Sequence, residues 1–179
     1  MEKSTILTVF KTLKIGGVPT KELVNKVKKS CEEVTRWVKD IMNQKSFVTA
    51  ETQTDVDFVI LTPVDLGFTS CPRTYAFMTN KFCIEWSAKH LEGFVIELCE
   101  PEDGPQLRIQ YEDQPNGEVL WMAMERITDS EGHPSLFAIE RSLGGKRWLR
   151  TGRVGPDHTS DLDDRVMFRF RKLSVPSAA

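Results

Sequence analysis

The residues most able to do chemistry lie near the C-terminal end, where Pro156-Asp157-His158 is closely followed by Asp161, Asp163 and Asp164. An imidazole titrates near neutral pH, and one orienting carboxylate makes it a general base. His158, with Asp157 or Asp161 as that carboxylate, is the candidate catalytic set. No nucleophile accompanies it. The chain has no Gly-x-Ser-x-Gly elbow, and Cys31, Cys71, Cys83 and Cys99 sit inside apolar patterns with nothing in the sequence to lower a thiol pKa. The competing reading is a loop whose aspartates cap backbone N–H groups while the histidine faces solvent.

Metal and cofactor chemistry find less support. His90, His133 and His158 are far apart, no Cys-x-x-Cys pair occurs, and Asp161 to Asp164 lacks the glycine and distal glutamate of a calcium loop. Gly144-Gly145 stands between strands rather than ahead of a helix, without the lysine and hydroxyl of a phosphate loop. No metal and no cofactor is expected.

A third group is basic. Arg108, Arg150, Arg169 and Arg171, with Trp148, form the candidate binding set, because strand alternation places these arginines on an outward face beside Arg141, Arg147 and Arg153. Nucleic acid is disfavoured as the ligand. The aromatics that would stack on bases, Tyr111, Phe168 and Phe170, fall on the core face, and the formal net charge is -2. The arginines are expected instead to pair with Glu112, Asp113, Glu125, Glu140 and the last aspartates, within the subunit or across an interface. One such bridge is expected between Arg150 or Arg165 and Asp164, fixing the 155–162 loop. Lys21, Lys26, Lys28 and Lys29 alternate with Glu22, Glu32 and Glu33 and read as a solvated helix face.

The elements that must position these groups follow from periodicity. Leu23, Val27, Cys31, Val34, Val38 and Ile41 recur at helical spacing and predict a helix over 20–43, or two kinked near Ser30. Tyr75, Met78, Phe82 and Trp86 predict another over 72–91. Strands are expected at 56–62, 94–99, 107–111, 119–127, 135–141, 147–154 and 164–171, the last with Val166, Phe168 and Phe170 inward and Arg165, Met167, Arg169 and Arg171 in water. The turn residues Pro115-Asn116-Gly117 and Gly144-Gly145 join them most simply as a meander of about five strands. The fold class is α+β: a mostly antiparallel sheet with two helices packed on one face. With 179 residues, 40% of them hydrophobic and 28% charged, the chain suits one domain over 1–173, with 174–179 expected as a disordered tail.

The strings Gly104-Pro105-Gln106-Leu107-Arg108, Tyr111-Glu112-Asp113-Gln114-Pro115, Trp148-Leu149-Arg150, Pro156-Asp157-His158 and Asp163-Asp164-Arg165 with Phe168 resemble a family of small bacterial proteins of unknown function. Asp65-Leu66-Gly67-Phe68 extends the resemblance upstream. The chain also resembles proteins encoded on the integron gene cassettes of environmental bacteria. Family members carry Trp after the histidine and Gly-Tyr after Leu-Arg, where this chain has Thr159-Ser160 and Thr151-Gly152. The resemblance implies a domain extent and an origin, not an activity.

Three function classes follow. The first is a non-enzymatic binding or interaction protein acting as a homo-oligomer, with a small-molecule ligand open; the second is a small enzyme using His158; the third is a nucleic-acid binder. No signal peptide pattern and no apolar run of membrane-spanning length occurs, so a soluble cytoplasmic protein without membrane partners is expected.

Overall fold

The computed structural model describes residues 5–173; the expected tail at 174–179 lies outside them. A nine-stranded sheet runs through the described chain. β1 (Lys11–Ile15) pairs antiparallel with β3 (Thr54–Leu61), and β3 pairs antiparallel with β9 (Val166–Lys172). Beyond β9 come β5 (Val119–Met122), β7 (Pro134–Arg141), β8 (Arg147–Arg153) and β2 (Glu33–Val34); β4 (Phe94–Glu97) also pairs with β9, and β6 (Ile127–Thr128) with β7.

The sheet is mixed, not mostly antiparallel, because β5 runs parallel to β9 and β2 parallel to β8. The expected meander does not form. Gly145, at φ 85°, does turn β7 back onto β8, but β9 then crosses to lie between β3 and β5. The reason is in its side chains. Val166, Met167 and Phe168 are all buried, so both faces of β9 are apolar, as an interior strand requires. Met167 therefore does not share a wet face with the arginines, as alternation alone suggested.

Helices cover both faces rather than one. Leu23 and Val27 of α1 (Thr20–Ser30), Val38 and Ile41 of α2 (Arg36–Met42) and Leu107 of α5 (Asp103–Gln110) share a core with Phe58, Met122 and Met167. On the opposite face Phe77 of α3 (Thr74–Phe77) and Cys83 and Trp86 of α4 (Asn80–His90) meet Val59, Val166 and Phe168. Both segments expected as helices are interrupted, the first at Ser30, where the two-helix alternative placed its break. Cys31 is extended at φ -144° and ψ 154°, which releases the chain to pair Val34 with Leu149 before Thr35 caps α2. Thr79 restarts the second, its hydroxyl accepting from the Phe82 N–H at 3.2 Å.

The segment expected as a strand at 107–111 is α5, and this reverses the orientation of Arg108. A Cβ on Gly104 would lie 2.9 Å from Phe137 Cβ, so the absent side chain lets the helix sit directly on β7. Pro105 fits its first turn, where the missing N–H is no loss. At helical rather than strand period Arg108 turns inward beside Leu107 and is fully buried. Its guanidinium donates to Gln114 Oε1 at 2.5 Å, the Tyr111 carbonyl at 2.6 Å and the Glu140 carbonyl at 3.4 Å. Burial, with Arg147 adding repulsion, pushes it down to about 10. Arg108 thus holds α5, the following loop and β7 together instead of facing a ligand.

Asp103, at the start of α5, is fully buried and accepts from Arg169 Nε and Nη2 at 2.7 and 2.8 Å and from the Glu100 N–H at 2.8 Å. Burial pushes its carboxyl up against the pull of Arg169; the same carboxylate, working against burial, holds Arg169 above its ordinary value. The expectation of Arg169 as an outward binding residue is corrected by this pair.

Two consequences are measurable. Gly104→Val should destabilise the protein by about 1–3 kcal/mol in urea unfolding, since the added atoms meet Phe137 and Met122; an unchanged midpoint would mean that α5 can back away from the sheet. Arg169→Leu should cost about 3–5 kcal/mol at neutral pH by stranding a buried carboxylate, and the double variant Asp103→Leu/Arg169→Leu should recover most of it. The folded pKa of Asp103 is raised, so the loss in Arg169→Leu should shrink as pH falls through that value toward the ordinary carboxylate range, because the folded state takes up the proton first.

Candidate functional site

The loop carrying His158 is built as an anchored turn. Thr74, buried at the start of α3, donates its N–H to the His158 carbonyl at 2.9 Å, and its hydroxyl shares hydrogen bonds with His158 Nδ1 at 2.8 Å and Ser160 Oγ at 3.0 Å. The Ser160 N–H donates to the Pro72 carbonyl at 3.0 Å. The imidazole is thereby oriented by a threonine, not by a carboxylate. Asp157 pairs with Arg73 at 3.2 Å and Asp161 Oδ1 lies 4.0 Å from Cys71 Sγ, and among the described residues neither carboxylate forms a hydrogen bond or ion pair with the imidazole. Asp161, Asp163 and Asp164 line an open cavity of about 570 Å³ with Glu118 and Arg165. Burial and the repulsion of Asp161 and Asp163 push the Asp164 carboxyl up. Glu118 is spoken for by Arg165. Among the described residues no three His, Cys, Asp or Glu side chains group closely enough to hold a metal ion.

The candidate arginines disperse. Arg108 is internal, Arg169 belongs to Asp103, Arg171 donates to Glu97 at 2.6 Å, and Arg150 forms an ion pair with Glu140 at 3.2 Å. The bridge expected between Arg150 or Arg165 and Asp164 is not made: β5 and β7 separate Arg150 on β8 from β9, and Arg165 pairs with Glu118 instead. Trp148, half-buried on β8, lies opposite Glu140 on one side and Glu33 on the other. These five residues do not share a surface.

A different set converges in the groove between α1 and α2, an open cavity of about 670 Å³. Lys21, Lys28 and Lys39 line it. Between them stand the amides of Asn25, Asn43 and Gln44, and the floor is apolar, made by Val24, Met42 and Phe47. No carboxylate lines it. Among the described residues none of the three lysines lies within 4.0 Å of an acid, whereas Lys26 pairs with Glu22 at 3.0 Å. Glu32, which looked like a neutralising neighbour, turns away to accept from the Arg147 N–H at 2.6 Å.

Lys21, Lys26, Lys28 and Lys29 are exposed, as a solvated helix face requires, and the spacing of two of them also sets the groove wall. Lys21, Val24, Asn25 and Lys28 fall at i, i+3, i+4 and i+7, so they share one side of α1, adjacent to the side that buries Leu23 and Val27. Lys39, Met42 and Asn43 repeat the pattern on α2.

The anchoring of the 155–164 loop can be separated from its charges. Thr74→Val removes both hydroxyl contacts from a buried position and should cost about 1–3 kcal/mol. Asp157→Ala breaks only an exposed pair and should change stability by less than about 0.5 kcal/mol. Equal losses in the two variants would place the anchor elsewhere. No family model matches the chain, and no match appears among the curated proteins or the solved structures compared with it, so the functional reading is built on these geometries.

Proposed function

We propose that the protein is a non-catalytic binding protein that takes a small anionic molecule in the α1–α2 groove. The observation that carries this reading is the charge of the lining: three ammonium groups, three amides and no carboxylate around an apolar floor. Three like charges brought to one groove repel each other, and an anionic ligand relieves that repulsion. The volume is in the range that accepts a small organic molecule. Support for a non-catalytic role comes from His158, whose Nδ1 is hydrogen-bonded by Thr74 and which, among the described residues, pairs with neither expected carboxylate. Support for a small ligand over a nucleic-acid strand comes from the aromatics. Phe47 is buried in the floor, and the Trp37 ring beside the groove helix is covered by Arg36 at 4.2 Å and Arg153 at 4.8 Å.

Isothermal titration of the full chain with pyrophosphate at low ionic strength is expected to give saturable one-site binding that weakens as KCl is raised, since open charges are screened beyond about 10 Å at 0.1 M salt. Lys39→Glu should weaken it by roughly tenfold or more without moving the melting temperature, and His158→Ala should leave it unchanged. Absence of saturable binding, or equal binding by Lys39→Glu, would overturn the proposal.

A further inference from the structure

The arrangement of the groove carries more than a sign of charge. Lys21 and Lys28 are seven residues apart on the same side of α1, about 10 Å along the axis. Asn25 and Val24 occupy the interval. To meet on one compact anion, the two ammonium groups would have to fold inward over Val24 against their mutual repulsion and lose the rotamer freedom of two long side chains. Extended, each instead marks one end of a trough whose middle is an amide above an apolar floor. Lys39 and Asn43 supply the facing wall.

Resting on the anion-binding reading, we infer that the natural ligand class is a two-headed organic dianion, with an acidic group near each of Lys21 and Lys28 and an apolar or weakly polar chain between them lying over Val24, Met42 and Phe47. Each head gains a charge-assisted contact, and the chain covers floor atoms that a compact anion leaves wet. Binding of the second head is intramolecular once the first is seated, so the two-headed molecule gains over its one-headed counterpart without any additional contact type.

The test is a set of simple probes measured by titration calorimetry against the full chain: decanedioate, decanoate, butanedioate and inorganic pyrophosphate at one ionic strength. Decanedioate is expected to bind more tightly than both decanoate and butanedioate by on the order of tenfold or more. Lys28→Gln, at an exposed position, should weaken both acids but erase that advantage, so that in this variant decanedioate binds no more tightly than decanoate. If decanedioate, butanedioate and pyrophosphate bind alike, the two-headed ligand is overturned and the anion groove stands. If none of the four binds, both readings fall. An advantage for decanedioate that survives Lys28→Gln would also overturn the assignment, since the second head would then lie elsewhere.

Discussion

The buried pair of Asp103 with Arg169 is the contact on which the rest of the structure depends. It sits where β4 and β5 both approach the same edge of β9 and meet at Cys99 and Met124, whose backbones bridge. Two strands competing for one edge would leave polar groups unpaired at the fork. Here Cys99 donates its N–H to the Ala123 carbonyl at 2.6 Å, and Asp103 closes the turn from Glu100 while accepting from Nε and Nη2 of Arg169. A carboxylate at the first residue of α5 also faces the positive end of the helix dipole. The pair therefore fixes where α5 begins and holds it to the central strand.

From that start α5 transmits order outward. Its Gly104 permits close approach to β7, Arg108 ties it to the 111–118 loop, and Leu107 joins the core that receives Leu23 and Val27 of α1. Gln110 reaches β1, its amide donating to the Lys14 carbonyl at 2.9 Å. The groove wall on α1 is set by the face that packs inward, so the placement of Lys21 and Lys28 follows from burial of Leu23 and Val27 rather than from any contact of their own. A site built this way is positioned by the core and left without internal partners.

The fold was legible where one signal dominated. The β7–β8 hairpin was readable from alternation around Gly144-Gly145, and the strand ending at Pro63 from an apolar run stopped by proline. It was not legible where two periods coincide: Leu107-Arg108-Ile109-Gln110-Tyr111 alternates like a strand, and Gly104-Pro105 ahead of it resembles a loop. Only packing decides between them, since Gly104 is needed for contact with Phe137 and Arg108 finds neutral acceptors inside. The sheet order was equally hidden, because neither sequence distance nor turn chemistry says that β9 inserts between β3 and β5. Around His158, local sequence shows that carboxylates are near, not which backbone amide or arginine claims them first.

The division of labour between arginine and lysine explains why the expected outward arginine face does not form. Arginine's planar fork satisfies several acceptors at fixed geometry, and in this chain Arg108 and Arg141 bind carbonyls while Arg150, Arg165, Arg169 and Arg171 bind carboxylates. Lysine's ammonium is strongly hydrated and gains less from a buried pair, so it stays at the surface, and the ion pairs it makes are exposed or partly exposed, as those of Lys14 with Asp55 and Lys26 with Glu22 are. Counting cations along the chain therefore points to the arginine-rich C-terminal half, where the charge is already neutralised by neighbours. The cations left for a ligand are the ones whose neighbours on the folded surface are amides and apolar atoms. Lys21, Lys28 and Lys39 fit that description: they line one groove with amide and apolar side chains, and among the described residues none pairs with an acid.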